Sequence, residues 1–448
     1  MSDLISIGRS GINAYQSALA TVGQNVTNAN NPGYTRRQVT LSEQATTGIG
    51  FLSTTHVDFN GVQPATVSRA FDQFKSADAW TANSDSSYAS TRSQYLTSVQ
   101  SQLDDSDAGI GAKLTAIFTA ANALAANPSD TTLRQGMLYA VGSAASALGQ
   151  ASSGLDTVTS TIAQQATIQA AQVNTALAQL AKINLSLKTA GAGTSGRATL
   201  EDQRDSLIST ISGSLGVDVS IDPSGAATVT LGNNGGLALV SADSTIPALV
   251  NITQASSGRL SMTVLANGTT SAVNPTSGGL AGLIDSAGNA VDRKGQLDDI
   301  ANTLATSLNA WQAQGQDANG AAGTDMLSGT TAQTLQVVMT DPAKIAAANA
   351  TSANGNLLAL SSLRGSGGIE QTWRAVVNAQ ALQVSAAATA ATTASAQKDN
   401  AYAALDSVSG VSLDDEAADL LRFQQAYSAS AKIIQAAKDT FQTILALF

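Results

Sequence analysis

Seven-residue apolar repeats at both ends of the chain constrain its fold more than any other feature of the sequence. Such a repeat forms a narrow stripe along one face of a helix, and the stripe must be buried against another helix. The two stripes can pack on each other or on neighbouring copies, which is typical of an assembly subunit. The first stripe consists of Ile5, Ile12, Tyr15, Leu19, Val22 and Val26. The second consists of Leu413, Leu420, Phe423, Tyr427, Ile434, Phe441, Ile444 and Phe448.

The composition favours a long helical chain over one wide core. The apolar fraction is 43%, alanine is abundant and the aromatic fraction is only 4%. Alanine is a strong helix former, and its small side chain lets helices pack closely. The 22 Lys and Arg residues are outnumbered by 32 Asp and Glu residues and form no cluster. We therefore expect neither nucleic acid nor an anionic membrane surface as a partner.

The absence of cysteine excludes disulfides, thiolate chemistry and Cys-ligated zinc. No stretch approaches the ~18 consecutive apolar residues of a membrane span. The first residues lack the charged segment and apolar core of a secretory signal peptide. If the protein acts outside the cell, we expect export without a cleaved signal peptide.

Proline placement and local patterning divide the chain into helical and β regions. No proline occurs in 129–222 or 343–448, so long helices are permitted there. Between 217 and 277, four short segments alternate polar and apolar residues and are separated by turn signals. The sequence therefore predicts a mainly α fold with a small β insertion. The expected parts are a terminal coiled-coil layer (1–35 and 412–448), a helical rod domain (36–216 and 278–411) and an outer β module (217–277), which 335–340 can join as a further strand.

A polar, turn-forming box directly follows the first stripe. Asn28 and Asn30 tolerate turn conformations, Pro32 ends a helix and Gly33 permits a sharp reversal. Tyr34 can pack its ring while its hydroxyl finds a partner. An Asn-Pro-Gly sequence alone is an ordinary helix stop. Its position between a heptad helix and a helical rod makes this box a candidate assembly element.

Six short motifs lie at the ends and in the interior of the chain. At the ends they are NVTNANNPGYTRRQV (25–39), GVSLDDE (410–416) and LRFQQAY (421–427). In the interior they are AANPSD (125–130), EDQRD (201–205) and GGLAGLI (278–284). The end motifs resemble the signatures of the flagellar axial proteins, which are the rod, hook and hook-associated proteins. The interior motifs narrow the resemblance to the FlgK-type hook-associated proteins.

This resemblance implies a structural adaptor that forms a ring between the flagellar hook and the filament. It implies a location outside the cell and export by the flagellar type III route. The implied partners are further copies of the chain, the hook protein, the second junction protein and an export chaperone that binds the C-terminal helix. The alternatives are another axial protein (the second junction protein or the hook protein) and, from a different class, a surface carbohydrate-binding or hydrolytic protein.

Chemical motifs are few, and each has a structural explanation. Residues 191–196 fit G-x-G-x-x-G, but a predicted helix precedes them where a dinucleotide site needs a strand. Residues 105–109 resemble the start of a twelve-residue calcium loop, but the chain has no glutamate at the twelfth position of that loop. Residues 317–320 are interpreted as a hydrogen-bonded turn. His56 is the only histidine and supplies no catalytic cluster. The sequence therefore predicts no enzyme activity, no cofactor and no metal site.

Overall fold

Long α-helices make up most of the computed structural model, which describes residues 2–31, 33–47, 57–232, 236–365 and 367–446. In chain order, the helices are α1 (Ser2–Asn28), α2 (Gln73–Gln102), α3 (Ile110–Ala126), α4 (Thr131–Thr189), α5 (Ser195–Ser214), α6 (Gly279–Ala313), α7 (Gly355–Ala359), α8 (Ile369–Ser409) and α9 (Leu413–Leu445). The strands are β1 (Arg37–Thr47), β2 (Val57–Arg69), β3 (Val217–Ile221), β4 (Ala227–Leu231), β5 (Ala238–Val240), β6 (Leu249–Gln254), β7 (Leu260–Ala266), β8 (Thr269–Val273), β9 (Leu327–Ser328) and β10 (Gln336–Val337). Short 3₁₀ segments are Pro342–Lys344 and Leu360–Arg364. The predicted fold class, mainly α with a small β insertion, is confirmed.

Helix α4 is 59 residues long, and helices α2, α3, α5 and α6 pack along it, as do parts of the β insertion. Its start is well defined because the carboxylate of Asp130 accepts hydrogen bonds from the backbone N–H groups of Thr132 (2.7 Å) and Leu133 (3.1 Å). An aspartate in this position satisfies N–H groups that the first helical turn leaves unpaired. No proline interrupts the helix, so its backbone hydrogen bonds continue to Thr189.

Two apolar cores lie along α4. The first forms where α3, α6 and the start of α8 meet α4, and it includes Leu114, Leu148 and the fully buried Trp373. The second forms where α5 and the β insertion cover the other half of α4, and it includes Leu177 and Val264. The β insertion therefore shares its core with the helices and is fixed to them by apolar burial.

Two three-stranded antiparallel sheets form the insertion, in the orders β3–β4–β5 and β6–β7–β8. Two asparagines of α4 bind them. Asn184 exchanges hydrogen bonds of 2.8 and 2.9 Å with the backbone of Ala227, and Asn174 exchanges bonds of 2.9 and 2.8 Å with the backbone of Val250. A side-chain amide offers one acceptor and two donors, so it can pair with a strand as another strand would.

Strands β1 and β2 form a long antiparallel hairpin within the segment 36–216, so this part of the predicted helical rod domain is not helical. The hairpin pairs Arg37 with Arg69 at its base. A register shift lies beside Pro64, which has no N–H to donate to a ladder. The hairpin crosses α1, where the N–H of Val62 donates to the hydroxyl of Ser10 (3.1 Å). The helical pattern therefore begins only at α2.

The predicted further strand near 335–340 exists, but it does not join the β insertion. Strand β10 pairs with β9 in a separate two-stranded sheet, with Val337 opposite Leu327. Its Val337 side chain packs on α4 at Gly142, where an added Cβ would lie 3.6 Å from a methyl group. This short sheet therefore belongs to the helical region.

Candidate assembly interface

The first and last long helices, α1 and α9, pack against each other in an antiparallel arrangement. A Cβ added at Gly8 would lie 2.5 Å from Cγ1 of Ile434, and one added at Gly11 would lie 2.5 Å from Oγ of Ser430. These separations are shorter than van der Waals contact, so no side chain fits at either glycine without displacement. The two glycines therefore set how closely the helices approach.

Most of the predicted stripe residues lie at the edge of this contact and not in its centre. The rings of Tyr15 and Phe423 lie 6.4 Å apart, and Val22 is buried. Six stripe residues are partly buried: Ile12, Tyr15, Leu19, Leu420, Phe423 and Ile434. The exposed stripe residues are Ile5, Val26, Leu413, Tyr427, Phe441 and Ile444. Phe448 lies outside the described residues. The exposed members leave an apolar surface on the helix pair.

The side chains buried between the terminal helices and the hairpin are mostly small or polar. They are Ala14, Ala18, Thr21, Val22 and Asn25 on α1, and Glu416, Ser430 and Ala437 on α9. A heptad count of large apolar residues finds only Val22 among them. A seven-residue spacing of Gly11, Ala18 and Asn25 was the signal that could have identified this face.

Asn25 fastens the polar box to α1. Its side-chain amide donates to the backbone C=O of Arg37 (2.8 Å), and its carbonyl oxygen accepts from the Arg37 N–H (3.0 Å) and the Tyr34 hydroxyl (2.8 Å). The Arg37 guanidinium lies 5.0 Å from the centroid of the Tyr34 ring. Burial raises the pKa of Tyr34, although the charge of Arg37 opposes the shift. The chain therefore folds back on α1 through one fully buried amide.

The other predicted box residues make fewer contacts. The Asn28 amide donates to the C=O of Gln24 within the last turn of α1 (2.9 Å), and Asn30 is exposed. Gly33 has a φ of 82°, which favours glycine and reverses the chain. Pro32 lies outside the described residues. Of the predicted box side chains that the structure describes, Tyr34 is the one that ties the box to the rest of the fold.

Arg36 joins the N-terminal motif to the C-terminal one. Its backbone N–H donates to the C=O of Ser409 (2.8 Å), and its guanidinium pairs with Glu416 (3.0 Å) and more distantly with Asp419 (3.8 Å). The Glu416 side chain is only 2% exposed. Glu416 is the last residue of the 410–416 motif, so the two motifs meet through a partly buried ion pair between residues 380 positions apart.

The 201–205 motif on α5 forms an ionic cluster with the base of the hairpin. Asp202 accepts from Arg37 (3.0 Å) and Arg69 (3.1 Å), and Arg69 also pairs with Asp205 (2.6 Å). The Arg69 side chain is 3% exposed. Burial alone would lower the pKa of Arg69, but Asp205 and Asp202 outweigh it and raise the pKa. The sequence identifies this motif only by its family resemblance. Its contact with the hairpin was not predicted, because the partner residues are distant along the chain.

We expect Asp202→Asn to lower the free energy of unfolding by about 1–2 kcal/mol, because Arg37 and Arg69 lose a shared charged acceptor. The matched control is Asp243→Asn, which removes a surface ion pair with Lys188 and should cost under about 1 kcal/mol. Urea denaturation followed by circular dichroism measures both variants. Equal losses for the two would contradict a structural role for the cluster.

The chemical motifs noted in the sequence occupy loops with structural contacts. Residues 190–194 connect α4 to α5, so the 191–196 motif spans this loop and the start of α5. The C=O of Gly193 accepts from the N–H of Val67 in β2 (2.7 Å). Asp317 accepts hydrogen bonds from backbone N–H groups of its own turn, which lower its pKa. His56 lies outside the described residues. In the described part of the chain, no group of three or more His, Cys, Asp or Glu side chains is arranged to hold a metal ion, and no helix has the length and apolar character to cross a membrane.

Comparison with known proteins finds matches for the long helical middle and for the C-terminal helix. The family model of the flagellar hook-associated protein FlgK helical domain matches residues 96–327, which is more than half of the chain. The chain belongs to the FlgK family of flagellar hook-associated proteins. A second family model, the flagellar basal body rod FlgEFG protein C-terminal region, matches residues 405–447 of this FlgK-family chain, which include α9.

Individual FlgK relatives show the same similarity. Flagellar hook-associated protein 1 of Salmonella typhimurium is 30% identical over 340 residues, covering 73% of this chain and 60% of the relative. The protein of the same name from Bacillus subtilis is 28% identical over 255 residues, covering 54% of this chain and 46% of the relative. A solved structure, the flagellar hook junction protein FlgK from Burkholderia pseudomallei, matches with a TM-score of 0.50 at 25% identity, covering 56% of this chain and 46% of that one. The match therefore spans 60% or less of the length of each of these relatives.

Proposed function

We propose that this chain is a structural subunit of the bacterial flagellum at the junction between hook and filament. Its FlgK-family membership and the pairing of α1 with α9 support this role. In the proposed arrangement, residues 1–35 and 412–448 form an inner layer. The helical segments within 36–216 and 278–411, together with the β1–β2 hairpin, form a second layer, and residues 217–277 face outward.

The observation that carries the proposal is the uncovered apolar end of α9. Gly8 lies at the level of Ile434, and continuing the antiparallel register places residues 441–445 of α9 beyond the start of α1. There, Phe441 is 52% exposed, Ile444 39% and Leu445 60%. Contiguous exposed apolar side chains are typical of interaction sites. We infer that terminal helices of neighbouring copies cover them in a ring.

The assembled ring and the apolar face of α9 each have further proposed partners. In the assembled flagellum, the ring would contact the hook protein on one side and the second junction protein on the other. Before assembly, an export chaperone would cover the apolar face of α9, because an exposed apolar helix face fits the groove of a helical partner. Chaperone binding and ring formation would then exclude each other. Export through the flagellar route would bring the subunit outside the cell.

Replacing Phe441 and Ile444 together with aspartate tests the interface. Both side chains are exposed, so we expect the fold of the isolated protein to be unchanged. Assembly should be lost, because each carboxylate would enter a buried helix interface unpaired at a cost of several kcal/mol. The measurement is swimming and electron microscopy of filaments when the variant is supplied to a strain lacking its own copy of the gene.

The matched control replaces the neighbouring exposed residues Gln442 and Thr443 with aspartate. It adds the same charge to the same turn of α9 but not to the apolar face. We expect the control to support filaments. Normal filaments with the Phe441/Ile444 variant would contradict the proposed interface, and filament loss with both variants would show only that the turn does not tolerate charge.

A further inference from the structure

The hairpin of β7 and β8 turns through a single Asn-Gly pair. Ala266 pairs with Thr269 across the ladder, so Asn267 and Gly268 alone form the turn. Their φ angles are 51° and 79°, and a two-residue turn of type I′ requires positive values at both positions. In the described part of the chain, Asn267 is the one residue other than glycine with a positive φ, and both turn residues are exposed. An Asn-Gly pair therefore lies at an exposed tip of the β insertion.

Asparagine followed by glycine loses its side-chain amide without an enzyme. The backbone nitrogen of the glycine attacks the side-chain amide carbon, and the new C–N bond closes a five-membered succinimide ring. The amide nitrogen leaves as ammonia and takes the proton of the glycine N–H with it. Water then opens the ring at either carbonyl and gives aspartate or isoaspartate. Glycine favours ring closure because it has no Cβ to hinder the approach and because its backbone rotates freely.

The turn leaves both reacting groups free. In the described part of the chain, the Asn267 side chain forms no hydrogen bond and the Gly268 N–H has no acceptor. A Cβ added at Gly268 would meet no atom within 4 Å, so no neighbour restricts rotation of the turn. Local opening at an exposed tip costs far less free energy than global unfolding. Rotation of the Gly268 nitrogen towards the Asn267 side chain is therefore opposed only by the turn itself.

The chain has four other Asn-Gly pairs, at 60–61, 234–235, 319–320 and 354–355. The glycine of the first pair packs against α1, where an added Cβ would overlap the hydroxyl of Ser10. The N–H of Gly320 donates to the C=O of Asp317 (3.1 Å), and the side-chain amide of Asn354 donates to the C=O of Ala125 (2.9 Å). The 234–235 pair lies outside the described residues. Structural contacts thus hold the three other described pairs.

We propose that Asn267 is a self-modification site, which converts to aspartate and isoaspartate faster than the other described Asn-Gly pairs. The two products act differently on the hairpin. Aspartate keeps the two-residue turn, which Asp-Gly also forms, and adds one negative charge. Isoaspartate places an extra methylene group in the backbone, so the turn no longer fits the pairing of Ala266 with Thr269. The hairpin end should lose its ladder hydrogen bonds in that fraction of the molecules.

The test follows deamidation of the full-length protein during storage in mildly alkaline buffer. Trypsin releases Asn267, Asn319 and Asn354 in different peptides, and mass spectrometry measures the conversion of each. We expect Asn267 to react at least ~5-fold faster than the other two, because each of their pairs keeps a hydrogen bond worth roughly that factor. In guanidinium chloride the three rates should converge, because alanine precedes all three pairs. Equal rates in the folded protein, or the same difference after unfolding, would overturn the proposal.

Asn267→Asp separates the effect of the charge from that of the added methylene group. We expect hydrogen exchange of residues 260–273 to be the same in this variant as in the unmodified protein. In stored protein, the peptide that carries isoaspartate separates from the aspartate form by chromatography, and its exchange should be faster. Equal exchange in the isoaspartate and aspartate forms would overturn the proposed effect on the hairpin, and so would fast exchange in Asn267→Asp.

Discussion

Gly11→Val is expected to separate α1 from α9 and to abolish filament formation. The added Cβ would lie 2.5 Å from Oγ and 3.1 Å from Cβ of Ser430, and valine adds two methyl groups beyond it. Overpacking of this kind costs about 1–3 kcal/mol where neighbours cannot move. Two terminal helices joined along one narrow contact have little stability to lose. Swimming, electron microscopy of filaments and limited proteolysis of the purified variant measure the effect.

The control for this change lies on the same helix. A Cβ added at Gly23 would meet no atom within 4 Å, so Gly23→Val changes helix propensity as Gly11→Val does but not the packing against α9. We expect Gly23→Val to retain filaments and protease resistance. If Gly11→Val retained them as well, the close approach of the two helices would not be required for assembly.

Asn25→Leu is expected to release the polar box from α1. Leucine has the branched shape of asparagine but leaves the buried N–H and C=O of Arg37 and the partly buried hydroxyl of Tyr34 without their partner. Each buried unsatisfied group costs about 1–3 kcal/mol, so the two Arg37 groups alone should cost about 2–6 kcal/mol. Hydrogen exchange read by mass spectrometry should show loss of protection in peptides that cover residues 25–39.

Asn30→Leu is the matched control, because Asn30 lies in the same box but is exposed. We expect it to change stability by under about 0.5 kcal/mol and to leave the exchange of residues 25–39 unaltered. Equal exchange in the two variants would mean that the box is held by contacts other than the Asn25 amide. Faster exchange in both would point to the apolar leucine itself as the cause.

Local sequence patterns predict much of the fold. The period-two alternation of 217–221 and 227–231 predicts β3 and β4, and Ser412 with three acidic residues after it predicts the start of α9. These predictions succeed because strand alternation and helix capping depend on neighbours within a few residues. The β1–β2 hairpin escapes such patterns because the register shift at Pro64 breaks its alternation, and because its stability comes from distant partners on α1 and α5.

Sequence patterns alone establish that the chain ends in two apolar-striped helices, that a turn-forming box follows the first, and that the chain resembles the flagellar axial proteins. Which helix faces meet depends on the tertiary structure. The contact runs through Gly8 and Gly11, because the closest packing of two backbones excludes the large side chains that a heptad count selects. Burial of Asn25 and Glu416 likewise depends on the assembled fold, because a polar group can leave water only where the fold supplies its partner. That partner is Arg37 for Asn25 and Arg36 for Glu416.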